Sequence, residues 1–163
     1  MHGEKLKLKI ISLFCLLFVP ACTLETEEQN GKIIFLSGEV SVNNRKAEPG
    51  GIIKSGDTVK TGQNASCEIV FSDKSVIKIY ENTETILDVP EQRIHLKIGA
   101  IASVIKKLSD EDHRYTIKTP TSVAGVRGTI FVINTRDEND SYICVCNGTV
   151  DISDSDGKNK KSV

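Results

Sequence analysis

Tryptophan is absent from this 163-residue chain, methionine occurs only as residue 1, and aromatic residues make up 5% of it. An excess of charge is absent as well. Lys and Arg number 21 against 22 Asp and Glu, for a formal net charge of −1. Counterion release from phosphates needs clustered cations, so this balance excludes nucleic acid as a partner. Catalytic constellations are missing too. No Ser–His–acid order, no Cys–His pair and no paired inward carboxylates stand out, so an enzyme is not expected. His113 beside Asp112 reads as part of a solvated loop. No metal or other cofactor is expected, because the cysteines could draw only on His95 and His113 for a fourth ligand.

No apolar run after residue 21 is long, and the one before it is short. Lys5, Lys7 and Lys9 precede Ile10–Ala21, which is almost wholly apolar. A spanning helix needs roughly 20 such residues. A basic start followed by a short apolar stretch is the pattern of a secretory signal peptide, here residues 1–21. The segment ends Val19-Pro20-Ala21-Cys22. A small residue before Cys resembles a bacterial lipobox, in which Cys22 is diacylated and becomes the first mature residue. Pro20 departs from the usual small residue there, and ordinary cleavage near Ala21 is the alternative. Two acyl chains would hold the protein firmly, each buried methylene contributing about 0.8 kcal/mol. Residues 22–32 are polar and acidic without periodicity, as in a flexible tether. The expected location is the cell envelope, at an outer membrane or at the periplasmic face of a membrane.

What the chain does contain is Val and Ile, with glycine every ten to fifteen residues. β-Branched side chains suit a pleated surface, so the expectation is an all-β domain over 33–153, wound as a roll or solenoid, or a sandwich. A polar, frayed tail follows at 154–163. Short alternating runs recur between turn residues. Arg93–Ile98 alternates with Ile94, Leu96 and Ile98 read as inward, and Asn147-Gly148 reads as a tight hairpin turn. Gly38–Val42, Gly99–Ser103 and Gly148–Ile152 echo one another, each starting with Gly and then alternating. That fits a sheet winding back on itself with glycine at the corners. No helix is clearly encoded, although 110–114 could form one turn.

Five cysteines are present. Cys15 departs with the signal and Cys22 carries lipid, which leaves Cys67, Cys144 and Cys146. Cys144 and Cys146 share a strand face about 7 Å apart, too far for an easy bridge. The three read as small buried hydrophobes, with a disulfide from Cys67 to Cys144 or Cys146 as the alternative in an oxidising compartment.

The most informative stretch is Thr119–Ile133. Thr119-Pro120 is a proline turn, Ala124–Gly128 a glycine-rich corner, and Thr129–Ile133 an apolar β-branched run. Gly125 and Gly128 read as positions of positive φ or close backbone approach. Arg127, the one charge there, reads as a tie for the corner, with presentation to a partner as the alternative. Three further segments accompany it: Gly56–Gly62, Phe71–Val76 and Leu96–Ala100. Together these resemble the FecR-type domain, an extracytoplasmic bacterial module. Lys74 stands where that family's turn usually has Gly. The resemblance implies a folding signature, not a chemical one. It also implies a role in relaying envelope signals between a receptor and a sigma factor, although the family's cytoplasmic tail and membrane span are not expected in this chain. Two roles follow: a lipid-anchored module binding a protein or cell-wall glycan, or an accessory periplasmic regulator in such a pathway.

Overall fold

The computed structural model describes residues 30–107 and 114–163. The expected signal peptide, Cys22, and the loop with His113 and the single turn at 110–114 lie wholly or largely outside these described residues. The described residues form strands and no helix. In chain order the strands are β1 (Gly31–Ser37), β2 (Val40–Val42), β3 (Arg45–Lys46), β4 (Ile52–Ile53) and β5 (Asp57–Thr61). Next come β6 (Ser66–Phe71), β7 (Val76–Ile79), β8 (Thr83–Asp88), β9 (Arg93–Val104) and β10 (Tyr115–Lys118). The last five are β11 (Ser122–Val126), β12 (Ile130–Asp137), β13 (Asp140–Asn147), β14 (Val150–Asp154) and β15 (Lys160–Ser162).

These strands make two sheets that share β9. The first runs β4-β1-β6-β7-β9-β12-β13. The second runs β3-β2-β5-β8-β9-β10-β11-β14-β15. The whole is open and does not close as a barrel. Only β9–β10 is parallel. Period-two alternation puts one face of every long strand into a single core. On the first sheet Cys67, Ile79, Ile101 and Ile133 lie side by side in one register row, all fully buried. Leu96, Ile117, Ala124 and Val150 supply the facing side from the second. Each fully buried Ile or Leu contributes roughly 1.5–3 kcal/mol.

The chain changes sheets at glycines, and the three echoed segments mark such crossings: Gly38 between β1 and β2, Gly99 within β9, Gly148 between β13 and β14. Gly99 is the most demanding. Its φ is +92°, and a Cβ there would overlap Thr83 Oγ1 and lie 2.5 Å from Thr83 Cα. Thr83 locks the bend, its buried hydroxyl donating to Glu81 O at 3.1 Å and accepting from Ala100 N–H at 3.0 Å.

Four local expectations are corrected. Ile98 points outward and is 46% exposed, because a bulge against β8 shifts the register just before the Gly99 bend. Asn147-Gly148 is a crossing and not a hairpin, since β14 pairs with β11 and β15, never with β13. The tail folds back: Asp154 accepts from Lys158 N–H at 2.7 Å and Asn159 Nδ2 at 2.7 Å, turning Lys160–Ser162 onto β14. The domain therefore reaches Val163, whose backbone exchanges hydrogen bonds with Val150. At the other end Gly31 and Lys32, assigned to the tether, already belong to β1.

Candidate functional site

The motif residues build corners. In Gly56–Gly62, the Asp57 carboxylate accepts from Lys54 N–H at 2.7 Å and Asn43 Nδ2 at 2.6 Å, and Thr61 Oγ1 accepts from Thr83 N–H at 3.1 Å. In Phe71–Val76, Asp73 accepts from Ser75 N–H at 2.8 Å, Ser75 Oγ at 2.9 Å and Tyr115 OH at 2.9 Å, while Ser75 Oγ accepts from Lys106 N–H at 3.0 Å. Burial first, and the Asp73 carboxylate second, push the Tyr115 phenol well above its ordinary range, so it stays a donor. Lys74, in the place of the family's Gly, has φ +67°, the left-handed conformation glycine adopts without cost.

The Thr119–Ile133 stretch is likewise structural, although two of its residues behave differently from one another. Pro120 sits in the turn joining β10 to β11, which is closed by Thr119 N–H to Ser122 O at 2.8 Å. Gly128 makes the next corner with φ +61°, and a Cβ there would stand 2.9 Å from the Lys107 side chain. Gly125 is not a corner. It lies inside β11, extended, opposite Thr116 and Asp151, and a Cβ would meet only Asp151 O at 3.8 Å. The expectation of positive φ or close approach there is corrected. Arg127 lies half-buried between the end of β11 and that corner. Two residues the sequence reading passed over are the locks. Buried Thr129 Oγ1 lies 3.1 Å from both Arg127 O and Thr149 O, and buried Thr119 Oγ1 accepts from Ser141 Oγ at 3.1 Å, joining the two sheets. A threonine opening a β-branched run was the only signal for Thr129, and a weak one, and Thr119 showed only as half of a proline turn.

Cys67, Cys144 and Cys146, the cysteines among the described residues, are free. Cys67 lies four strands from β13 across β7, β9 and β12, about 19 Å at the usual strand spacing. A bridge to Cys144 or Cys146 would need Cα atoms within about 7 Å, so the disulfide alternative is corrected. Burial, then Glu68, pushes the Cys67 thiol up to about 11, which keeps it an inert apolar side chain. Cys146 is exposed, contrary to the buried reading, because it is the extra residue of a bulge on the edge strand β13.

What remains for function is the outside, and the two sheets differ there. Across the second sheet run Lys60–Glu84 at 3.1 Å, Lys97–Glu84 at 2.7 Å, Arg93–Asp88 at 2.9 Å and Arg114–Asp151 at 2.7 Å. A recess of about 250 Å³ on it is lined by Asp88, Arg93, His95 and Lys118 among others. Burial, then Lys118 and Lys97, hold His95 below its ordinary value. The first sheet presents Val70, Val76, Val104 and Ile130 side by side in one row, and Ala102, Val132 and Cys144 in the next. Val104 is 51% exposed and Tyr142, one row further, 60%. Among the described residues this sheet carries two ion pairs, Lys78–Glu68 at 2.9 Å and, at its β12–β13 end, Arg136–Asp140 at 3.9 Å. Exposed apolar side chains gathered in adjacent rows make this face the candidate interaction surface.

The fold and its surface thus define an open β domain whose motif residues serve its turns and strands and whose two outer faces differ in polarity. The family model described as FecR protein matches residues 57–151, more than half of the chain, and the chain belongs to that family. No curated protein matches it by sequence. Two crystal structures of a candidate anti-sigma factor from Parabacteroides distasonis share the fold, each with a TM-score of 0.55 at 13% identity. The alignment covers 65% of this chain and 50% of theirs, so this chain spans about half the length of those neighbours.

Proposed function

We propose that the protein is a non-catalytic regulator in a FecR-like envelope signalling pathway, held at the membrane by lipid on Cys22. It acts by presenting the outer face of the first sheet to a partner protein. The observation that carries this reading is the apolar face of Val104, Ile130 and Val132 on a domain whose family motif is used up in corners. Family membership favours signalling over the other reading, a general protein- or wall-glycan-binding module. The neighbours described as anti-sigma factors, at 13% identity, support the fold alone. Binding on this face needs no titrating group and no cofactor.

The test is cross-linking in the native envelope followed by capture of the protein, in parallel for the natural chain and Val132→Lys. Recovery of a membrane-spanning sensor or sigma-factor regulator, lost in the variant, is the expected result. Recovery of peptidoglycan fragments alone would overturn it in favour of wall binding. Loss of fatty-acid labelling in Cys22→Ala checks the anchor separately.

A further inference from the structure

The four ends of the two sheets are unequal. β4, β3 and β15 are edges of two, two and three residues. Edges so short offer little backbone to a stray strand. β13 is an edge of eight residues, and among the described residues only β12 pairs with it. From Ser141 to Asn147 it carries no charge and no proline, two of the devices that protect an open edge, and its bulge there lies at one end, at Cys146. Its core-side residues Ile143 and Val145 are packed on the core but only partly covered. Polar backbone and half-covered aliphatic side chains thus lie open together on the same rim.

We propose that this edge pairs with the same edge of a second copy, antiparallel, about a two-fold axis at Ile143. The strand's own pattern selects both the occupant and the register. The bulge at Cys146 ends the regular ladder, leaving Ser141–Val145 as the straight part. A two-fold at Ile143 matches that segment to itself: Ile143 faces its own copy, Tyr142 faces Cys144, and Ser141 faces Val145. Side chains alternate across a strand, so this register keeps both cores on one side and both apolar outer faces on the other. Ile143 gains an aliphatic neighbour on the side now open, and Tyr142 lies beside the half-buried Cys144. Asp140 falls beyond the paired segment, so no like charges oppose one another there. Such an interface is isologous and closes at two copies. It joins the two outer faces into one continuous apolar surface, twice the width open to a partner.

The register makes a sharp test. In Tyr142→Cys the new thiol lies opposite the natural Cys144 of the other copy, within reach of a disulfide. Mild oxidation of the purified full chain should then give a covalent dimer on a non-reducing gel. The double variant Tyr142→Cys with Cys144→Ser should not. Cys144→Lys leaves the core untouched, because Cys144 is on the outer side of the strand. It should weaken self-association measured by light scattering about tenfold or more. A protein that stays monomeric over about a hundredfold range of concentration overturns the proposal. So does a dimer that ignores Cys144→Lys and fails to cross-link through Tyr142→Cys, since its contact would lie elsewhere. Neither result bears on the signalling assignment, which the envelope capture tests alone.

Discussion

The two outward faces of this protein are made from strands of the same kind, yet they differ in chemistry. The second sheet is laced by Glu84 held between Lys60 and Lys97, and by the Arg93–Asp88 and Arg114–Asp151 pairs. The first shows water Val104, Ile130, Ala102 and Val132, with two ion pairs among the described residues, Lys78–Glu68 and, at one end, Arg136–Asp140. Exposed ion pairs contribute little to stability, so the charged face is chiefly a solubility surface. The apolar face costs solubility and gives the fold only cross-strand packing, because the core lies on the other side of the same strands. In the proposed function this is the face that meets the partner.

Gly99 is where the comparison can be broken outright, since β9 passes from one sheet to the other there. Gly99→Ala should destabilise the domain by about 3 kcal/mol or more, from positive φ plus the overlap with Thr83. Gly125→Ala, in the middle of β11, should change stability by less than about 0.5 kcal/mol. Thermal or urea unfolding reads both, and equal effects would refute the distinction between corner and strand glycines.

Next in size is a charge placed on either face. Val132→Lys should reduce partner capture about tenfold or more while shifting stability by less than about 1 kcal/mol. Lys60→Ala on the other sheet should leave capture unchanged. Equal losses would mean that the faces are not functionally distinct.

A smaller effect, with the opposite sign, is expected at the Phe71–Val76 turn. Lys74 bears positive φ there without glycine's freedom, so Lys74→Gly should stabilise by about 0.5–1 kcal/mol. The smallest effect belongs to His95 on the charged sheet. Burial, Lys118 and Lys97 depress its folded value below 6.5, so the unfolded chain binds the proton more readily. Its contribution is fully present above pH 6.5 and is lost as pH falls through the folded value. His95→Gln should remove that slope, worth about a few tenths of a kcal/mol at so open a site.

Much of the scaffold was legible because its signals are local. Alternation in Arg93–Leu96 placed a strand and its buried side correctly, with Ile94 and Leu96 inward. The echoed glycines at 38, 99 and 148 do mark changes of sheet. Ser72–Ser75 is a hairpin turn because Asp73 caps it from two residues away. The errors came where a partner distant in sequence decides. Whether Asn147-Gly148 returns as a hairpin or crosses over depends on β11 being free to accept β14. Ile98 faces outward because of a bulge set by β8, and Lys160–Ser162 becomes a strand because β14 has an open side.

The sequence by itself determined the class of fold, most of its strands, several of its corners and its family, since period-two patterning and turn chemistry act over a few residues. Only the tertiary structure decided which outward residues stand side by side. Val70, Val76, Val104 and Ile130 lie up to 60 positions apart in the chain and become one row only through β6, β7, β9 and β12 pairing in register. A surface is a sum over such non-local pairings, so the bare face and the open β13 edge appear only after the sheets have formed.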